Sequence, residues 1–349
     1  MLKFTSSAIS FVLCLTCQSS FGTEINLYGL GHLSVDNVDD GQDSSIHVAS
    51  NSSRLGVKGS HSLESGLTVF FQFESGLDPT AQGVNDGNGD ADTEGQIFTK
   101  GRPSFIGLRG EFGEVLMGHM PALDQWANDY NLFADQVGDL GNLWEASGIP
   151  GRSDNVIYYK SPNFSGFDVA VTYVAEEGVD DNDHVIVKGE YATSKLKLGL
   201  ALASIGKGVN GEDQKAQAIT VGYDFGRFTL GGGFQAESDV GGVSGVDRDS
   251  LSVGGSVQVG KKGTIKLQYA VTEGDGSDSD ASLFAIGYDY AFDKSTKVYI
   301  AYAAASNDAN VNFSANGKGH GDKVTPAFGD DPNALSLGIV YQFDAMLMK

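Results

Sequence analysis

Six histidines, His32, His47, His61, His119, His184 and His320, are the side chains most suited to proton transfer or metal binding. They are scattered along the chain, and none lies in a recognisable nucleophile motif; Gly-x-Ser-x-Gly is absent. The stretch DGNGDADTEGQI opens like a calcium-binding loop, with Asp86, Asn88 and Asp90 at alternate positions. It then departs from that pattern. Ala91 stands where a tight-turn glycine is needed, and Ile97 stands where a bidentate glutamate is needed. The histidines read as solvated or lumen groups and the acidic stretch as a solvated loop, so no catalytic residue, no metal site, no cofactor and no enzyme activity are expected.

Charge narrows the partners. The 23 Lys and Arg against 45 Asp and Glu give a net charge of -22. Nucleic acid is excluded as a partner, because phosphates need a basic surface. The only two cysteines, Cys14 and Cys17, lie in an N-terminal stretch that reads as a secretory signal. Lys3 is its charged start, SAISFVLCLTC its apolar core, and SFG places small residues before a cut between Gly22 and Thr23. The chain from residue 23 therefore has neither a disulfide framework nor a cysteine-based metal site.

The elements that would carry any function are strands. In KLKLGLALAS, Leu196, Leu198, Leu200 and Leu202 fall on one face, with Lys197, Gly199, Ala201 and Ala203 on the other. TIKLQYAVT alternates in the same way, with Ile265, Leu267, Tyr269 and Val271 opposite Lys266, Gln268, Ala270 and Thr272. Near the end, Leu335, Leu337, Ile339, Tyr341 and Phe343 share a face. About sixteen such segments follow one another.

Their connectors alternate in length. SLESG, EFG, SPNFSG, TS, FG, GKKG and FDKS are short, while 37–50, 77–95, 120–151, 176–183, 206–213, 239–246, 274–279 and 307–332 are long. The long ones hold most of the acid, as in DNVDDGQD and EEGVDDND. Short turns at one end and long loops at the other are the layout of an outer-membrane barrel. No apolar run beyond residue 22 approaches the roughly 20 residues of a spanning helix. The fold class is therefore all-β, a transmembrane antiparallel β-barrel of about sixteen strands. Its leucine faces would touch lipid, its mixed faces would line a wet lumen, and Tyr28, Tyr341 and Phe343 would suit the interfacial girdles. A soluble β-sandwich would instead bury Leu198 in a protein core.

Four stretches carry a resemblance. INLYGLGHLSVD, SSRLGVKGSHSLESGLTVFFQFESGL, GRPSFIGLRGEFGEVLMGHM and PGRSDNVIYYKSPNFSGFDVAVTY resemble the first seven strands of the general diffusion porins of Gram-negative outer membranes. They cover residues 24–175, and the remainder is similar in pattern. The resemblance implies a sixteen-stranded homotrimer in the outer membrane, in contact with lipid and lipopolysaccharide, passing small hydrophilic solutes and ions. Divalent cations would be held loosely, if at all, between the acidic external loops and the lipopolysaccharide.

The resemblance also implies a third loop folded into the pore, for which 120–151, with Trp126 and Trp144, is well placed. Arginines on the wall would then face carboxylates on that loop. Arg54, Arg102 and Arg152 occupy the positions of the wall arginines. Asp124, Asp129, Asp135, Asp139 and Glu145 are the loop candidates, with Asp129, Asp135 and Asp139 nearest its middle. The family's Pro-Glu-Phe-Gly pattern is replaced by LFADQVGD, and Leu30 stands where a basic residue is common. DAMLMK, residues 344–349, follows the expected terminal Phe343 as an extension. The acidic loops favour cations at the mouth, against the arginines at the narrowest point. Other occupations of the same scaffold are a solute-specific porin, or an adhesive or structural surface barrel with a closed lumen.

Overall fold

The computed structural model describes residues 23–80, 101–121, 130–144, 151–178, 182–207, 211–321 and 323–349. Residues 1–22, read as a secretory signal, and the acidic stretch 86–97 lie outside the described residues, as do Asp124, Trp126, Asp129 and Glu145.

Antiparallel strands make up nearly all of the ordered structure. The first six are β1 (Thr23–Asp39), β2 (Ser44–Ser50), β3 (Arg54–Ser62), β4 (Thr68–Gly76), β5 (Ser104–Gly110) and β6 (Gly113–Pro121). A four-residue helix, α1 (Gly141–Trp144), precedes β7 (Arg152–Lys160), β8 (Phe167–Val174), β9 (His184–Ala192), β10 (Leu196–Ile205) and β11 (Gln214–Asp224). The wall is completed by β12 (Phe228–Ser238), β13 (Arg248–Val259), β14 (Gly263–Gly274), β15 (Ala281–Ala291), β16 (Thr296–Asn307) and β17 (Asn333–Met348).

From β3 onward each strand pairs with its sequence neighbours, and β1 closes the sheet on β17, with a register running from Ile25–Met348 to Asp39–Asn333. Across its other edge β1 meets β2 at Leu33–Asp39 and β3 at Thr23–Leu30. These two segments are upper and lower halves of one stave, interrupted at 51–53, so the wall is a closed barrel of sixteen staves. Closure of β1 on β17 joins the first and last staves, the condition a sheet must meet to cross a bilayer.

The period-2 reading of the faces holds. Leu198, Leu200 and Leu202 are 38%, 51% and 47% exposed on the outer wall, while Ala201 and Ala203 are buried on the inner one. Ile265, Leu267 and Tyr269 face out in the same way, and Lys266, Gln268 and Ala270 face in. The outer wall is apolar because its solvent is hydrocarbon, and the inner face is polar because it meets loops and water.

Three features differ from the sequence reading. The segment 37–50 is not a long loop. β1 runs to Asp39 and β2 begins at Ser44, joined by a tight turn in which Asp40 accepts from the amides of Gln42 and Asp43. These carboxylates are local turn formers, which made the stretch look like a loop. Residues 344–348, read as an extension beyond Phe343, are strand. They continue β17 against Ile25–Tyr28, and Asp344 takes Lys58 Nζ at 2.5 Å and Asn26 Nδ2 at 2.6 Å. Tyr28 is not in a girdle; it points into the lumen, where its hydroxyl donates to Glu74.

Candidate functional site

Two loops fold into the barrel. The first is the described part of the third long connector, 130–144. Polar side chains on the inner wall hold its backbone. Gln268 Oε1 accepts from the amide of Leu132 at 2.8 Å, and Gln268 Nε2 donates to the Gly138 carbonyl at 3.1 Å. Lys266 Nζ reaches the Leu132 carbonyl at 3.0 Å and Gln136 Oε1 at 2.8 Å. Gln235 Nε2 donates to the Trp144 carbonyl at 3.1 Å, and the hydroxyl of Tyr130 meets Thr229. A buried backbone group without a partner is costly, so this polar stripe is what makes the inward course of the loop stable.

The glycine run of β12 gives the loop its seat. A β-carbon at Gly231 would stand 2.4 Å from the Tyr130 ring, and one at Gly233 would stand 2.8 Å from Trp144. With hydrogen at those positions, both aromatic rings pack directly against the wall. Phe133, Val137, Leu140 and Leu143 complete the buried side of the loop.

The second loop, 308–332, read as external, also runs inward. The Gly138 amide donates to the Ala315 carbonyl at 2.9 Å, and the Lys318 amide donates to Asn142 Oδ1 at 2.9 Å. Ser52 Oγ, at the break between β2 and β3, donates to the Gly319 carbonyl at 3.1 Å. The two loops thus brace each other and the wall. The contacts that turn this loop inward carry no local sign in the sequence, because their partners Gly138, Asn142 and Ser52 are distant along the chain.

The wall opposite them is charged. Arg102 Nε lies 2.7 Å from Glu74 Oε1, and Arg54 Nε lies 3.8 Å from Glu74 Oε2. The Tyr28 hydroxyl donates to the same Oε2 at 2.8 Å. Glu74 was not among the sequence candidates. Its alternation with Phe70 and Gln72 on β4 places it on the inner face, and that signal was available. Arg54 also donates to the Ser52 carbonyl and lies within Coulombic reach of Arg102, Asp135 and Arg152. Arg152 donates to the Gly101 carbonyl at 3.4 Å. The three arginines therefore converge on one side of the lumen.

A cavity of about 310 Å³ lies against the two loops; Ser52, Tyr130, Asp135, Asp139, Trp144 and Lys318 border it, and Arg152 is the arginine that reaches it. Asp135 is the loop carboxylate within Coulombic reach of Arg54. Its backbone is left-handed, at φ 57°. Lys318, supplied by the second loop, adds a cation that the sequence reading did not anticipate.

Asp139 borders the same cavity, with its oxygens engaged inside the loop. Its carboxylate turns into the loop, accepting from Asn131 Nδ2 at 2.7 Å and from the amides of Asp135 and Gly141 at 2.8 Å each. These three hydrogen bonds organise the loop. Burial pushes its pKa up to about 6, although the hydrogen bonds pull the other way. Asp129 lies outside the described residues.

Known proteins share this architecture. A sequence profile described as Gram-negative porin matches residues 8–310. Outer membrane porin protein 32 of Delftia acidovorans is 30% identical over 314 residues, covering 83% of this chain and 84% of that one. The anion-selective porin from Comamonas acidovorans superposes with a TM-score of 0.77 at 25% identity, over 92% of this chain and 100% of that one. The trimer form of OmpT, an outer membrane protein of Vibrio cholerae, shares the fold with a TM-score of 0.67 at 18% identity, over 92% and 100% of the two chains.

Proposed function

The chain belongs to the Gram-negative porin family and is an outer-membrane porin, a passive channel through a β-barrel; we propose that the charges between its wall and its two inward loops make that channel prefer small anions. The observation that carries this reading is the composition of the constriction. Among the described residues, Arg152 and Lys318 border the cavity and Arg54 and Arg102 stand within Coulombic reach of Arg152 or of one another, four cationic groups against three carboxylates, Glu74, Asp135 and Asp139. Asp139 spends its charge on loop amides. Rings of charged side chains set ion preference, and low-dielectric walls focus their field at the narrowest point. This reverses the cation preference suggested by the acidic loops, because loop carboxylates at the wide mouth are screened within about 8 Å at physiological salt.

The likeness to a porin described as anion-selective supports the same direction. Opposed rows of charge also order water across the opening, so hydrophilic solutes pass and apolar ones are disfavoured. The trimer form of a fold relative and the apolar outer wall support a homotrimer in the outer membrane. Planar-bilayer recording of the purified protein tests this reading. Large conductance steps, closing in threes, are expected. Silence from folded protein would instead favour a closed, adhesive barrel.

A further inference from the structure

His320 joins parts of the molecule that are far apart in sequence. Its Nδ1 lies 3.0 Å from the backbone carbonyl of Asp135 in the first inward loop. Its Nε2 lies 3.0 Å from Asp36 Oδ2 on β1. Both side chains are almost fully buried, at 0% and 2% exposure. The glycines on either side, Gly319 and Gly321, are both left-handed, at φ 63° and 54°. A β-carbon at Gly319 would stand 2.3 Å from Asp135 Oδ1, and one at Gly321 would stand 2.6 Å from Ala49. The Gly-His-Gly stretch is thus shaped to plant the imidazole between loop and wall.

The chemistry of the partners fixes the bonding. A carbonyl oxygen only accepts, so Nδ1 carries hydrogen. Nε2 then either donates to the Asp36 carboxylate or accepts from its protonated form, and in both cases the pair holds one shared proton. The surroundings support Asp36 in place. Ser34 Oγ donates to its Oδ2 at 3.0 Å, and Asn51 Nδ2 donates to Ser34 Oγ at 2.9 Å. His32 on β1 is edge-on to His320 at 6.3 Å and is hydrogen-bonded to the Tyr299 hydroxyl of β16 at 2.9 Å. The charges of Lys297 and Arg54 reach His32 from β16 and β3.

We propose that His320 is a positioning residue of the constriction: by tying Asp36 on the wall to the carbonyl of Asp135, it holds both inward loops and thereby sets the places of the Asp135 carboxylate and of Lys318. His320 touches no passing ion. It acts through two charged residues that border the opening, one at the peptide it binds and one two positions before it. The inference rests on the reading of that opening as the ion-selective constriction.

The test uses the full-length protein refolded into lipid bilayers, with folding checked by resistance to SDS at room temperature. His320→Ala is expected to shift the zero-current potential in a salt gradient by an amount comparable with that of Arg152→Ala, and to add frequent brief changes in current level. Asp36→Ala should do the same. Asp36→Asn should behave as wild type, because its amide can donate to a neutral Nε2 while Nδ1–H keeps the Asp135 carbonyl. A merely structural role would not move the potential, nor be rescued by the amide. If His320→Ala does not fold, the Asp36→Ala and Asp36→Asn pair carries the test. Folded His320→Ala or Asp36→Ala with wild-type potential and noise would overturn the proposal, as would Asp36→Asn failing like Asp36→Ala. If Arg152→Ala also leaves the potential unmoved, the constriction reading itself is what fails.

Discussion

The guanidinium of Arg102 and the carboxylate of Glu74 meet at 2.7 Å across the inner wall, and the same carboxylate holds the Tyr28 hydroxyl through its other oxygen. Glu74 thus ties together β4, β1 and the segment before β5, while offsetting one of the positive charges beside it. Replacing it by Gln leaves the shape and removes the charge. The expected result is a shift of the zero-current potential further toward anions, with a loss of roughly 1–3 kcal/mol of stability from the charge-assisted hydrogen bonds. Arg102→Ala should shift the potential toward cations. Bilayer recordings of both variants check the pair; shifts of the same sign would contradict it.

Asp139 gives a pH dependence whose sign follows from its burial. Its pKa in the folded loop is about 6, against 3.8 for the free side chain. The native loop therefore binds this proton more tightly than the unfolded chain does. The resulting stability is fully present below about pH 4 and is lost as pH rises through about 6, amounting to roughly 3 kcal/mol at full extent. The loop should be tighter at pH 5 than at pH 7. A carboxyl carbon titration of Asp139 by NMR should show a midpoint near 6. A midpoint in the ordinary carboxylate range would contradict the buried, inward-turned geometry.

The glycine seat predicts a narrower pore when it is filled. At Gly233→Leu, the new side chain displaces Trp144 from the wall into the opening that both residues border. Single-channel conductance should fall while the barrel still forms. An unchanged conductance would mean that Trp144 does not rest on the wall there.

The outer face has its own test. Leu200 is half exposed on the apolar wall, and Leu200→Arg should cost roughly 2–4 kcal/mol of folding free energy if it faces mid-bilayer lipid. Reversible unfolding from lipid vesicles measures the cost directly. A cost near zero would reverse the assignment of the faces.

Most of the wall was legible in the sequence because a strand writes its faces every second residue, and lipid on one side makes that record strong. The leucines of β10 and the Ile265–Leu267–Tyr269 face needed nothing else. β2 was missed although Ile46 and Val48 alternate, because the aspartates of the preceding turn resembled a loop. Arg54, Arg102 and Arg152 were legible through their family positions. Glu74 could have been found from strand parity alone. Asp135 and Asp139 could not be separated, because a loop has no fixed period and their different roles come from left-handed backbone at Asp135 and amides closing on Asp139. Lys318 and His320 were beyond reach, since their partners Asn142, Asp135 and Asp36 are set only by the closed barrel.

The central claim is that the charge gathered at the constriction, rather than that of the acidic loops, sets what crosses. The zero-current potential of the wild-type channel in a potassium chloride gradient at neutral pH tests it most directly. A potential of the sign that marks chloride as the more permeant ion is the result this account predicts. A potential of the opposite sign, persisting at high salt where the loop charges are screened, would contradict it.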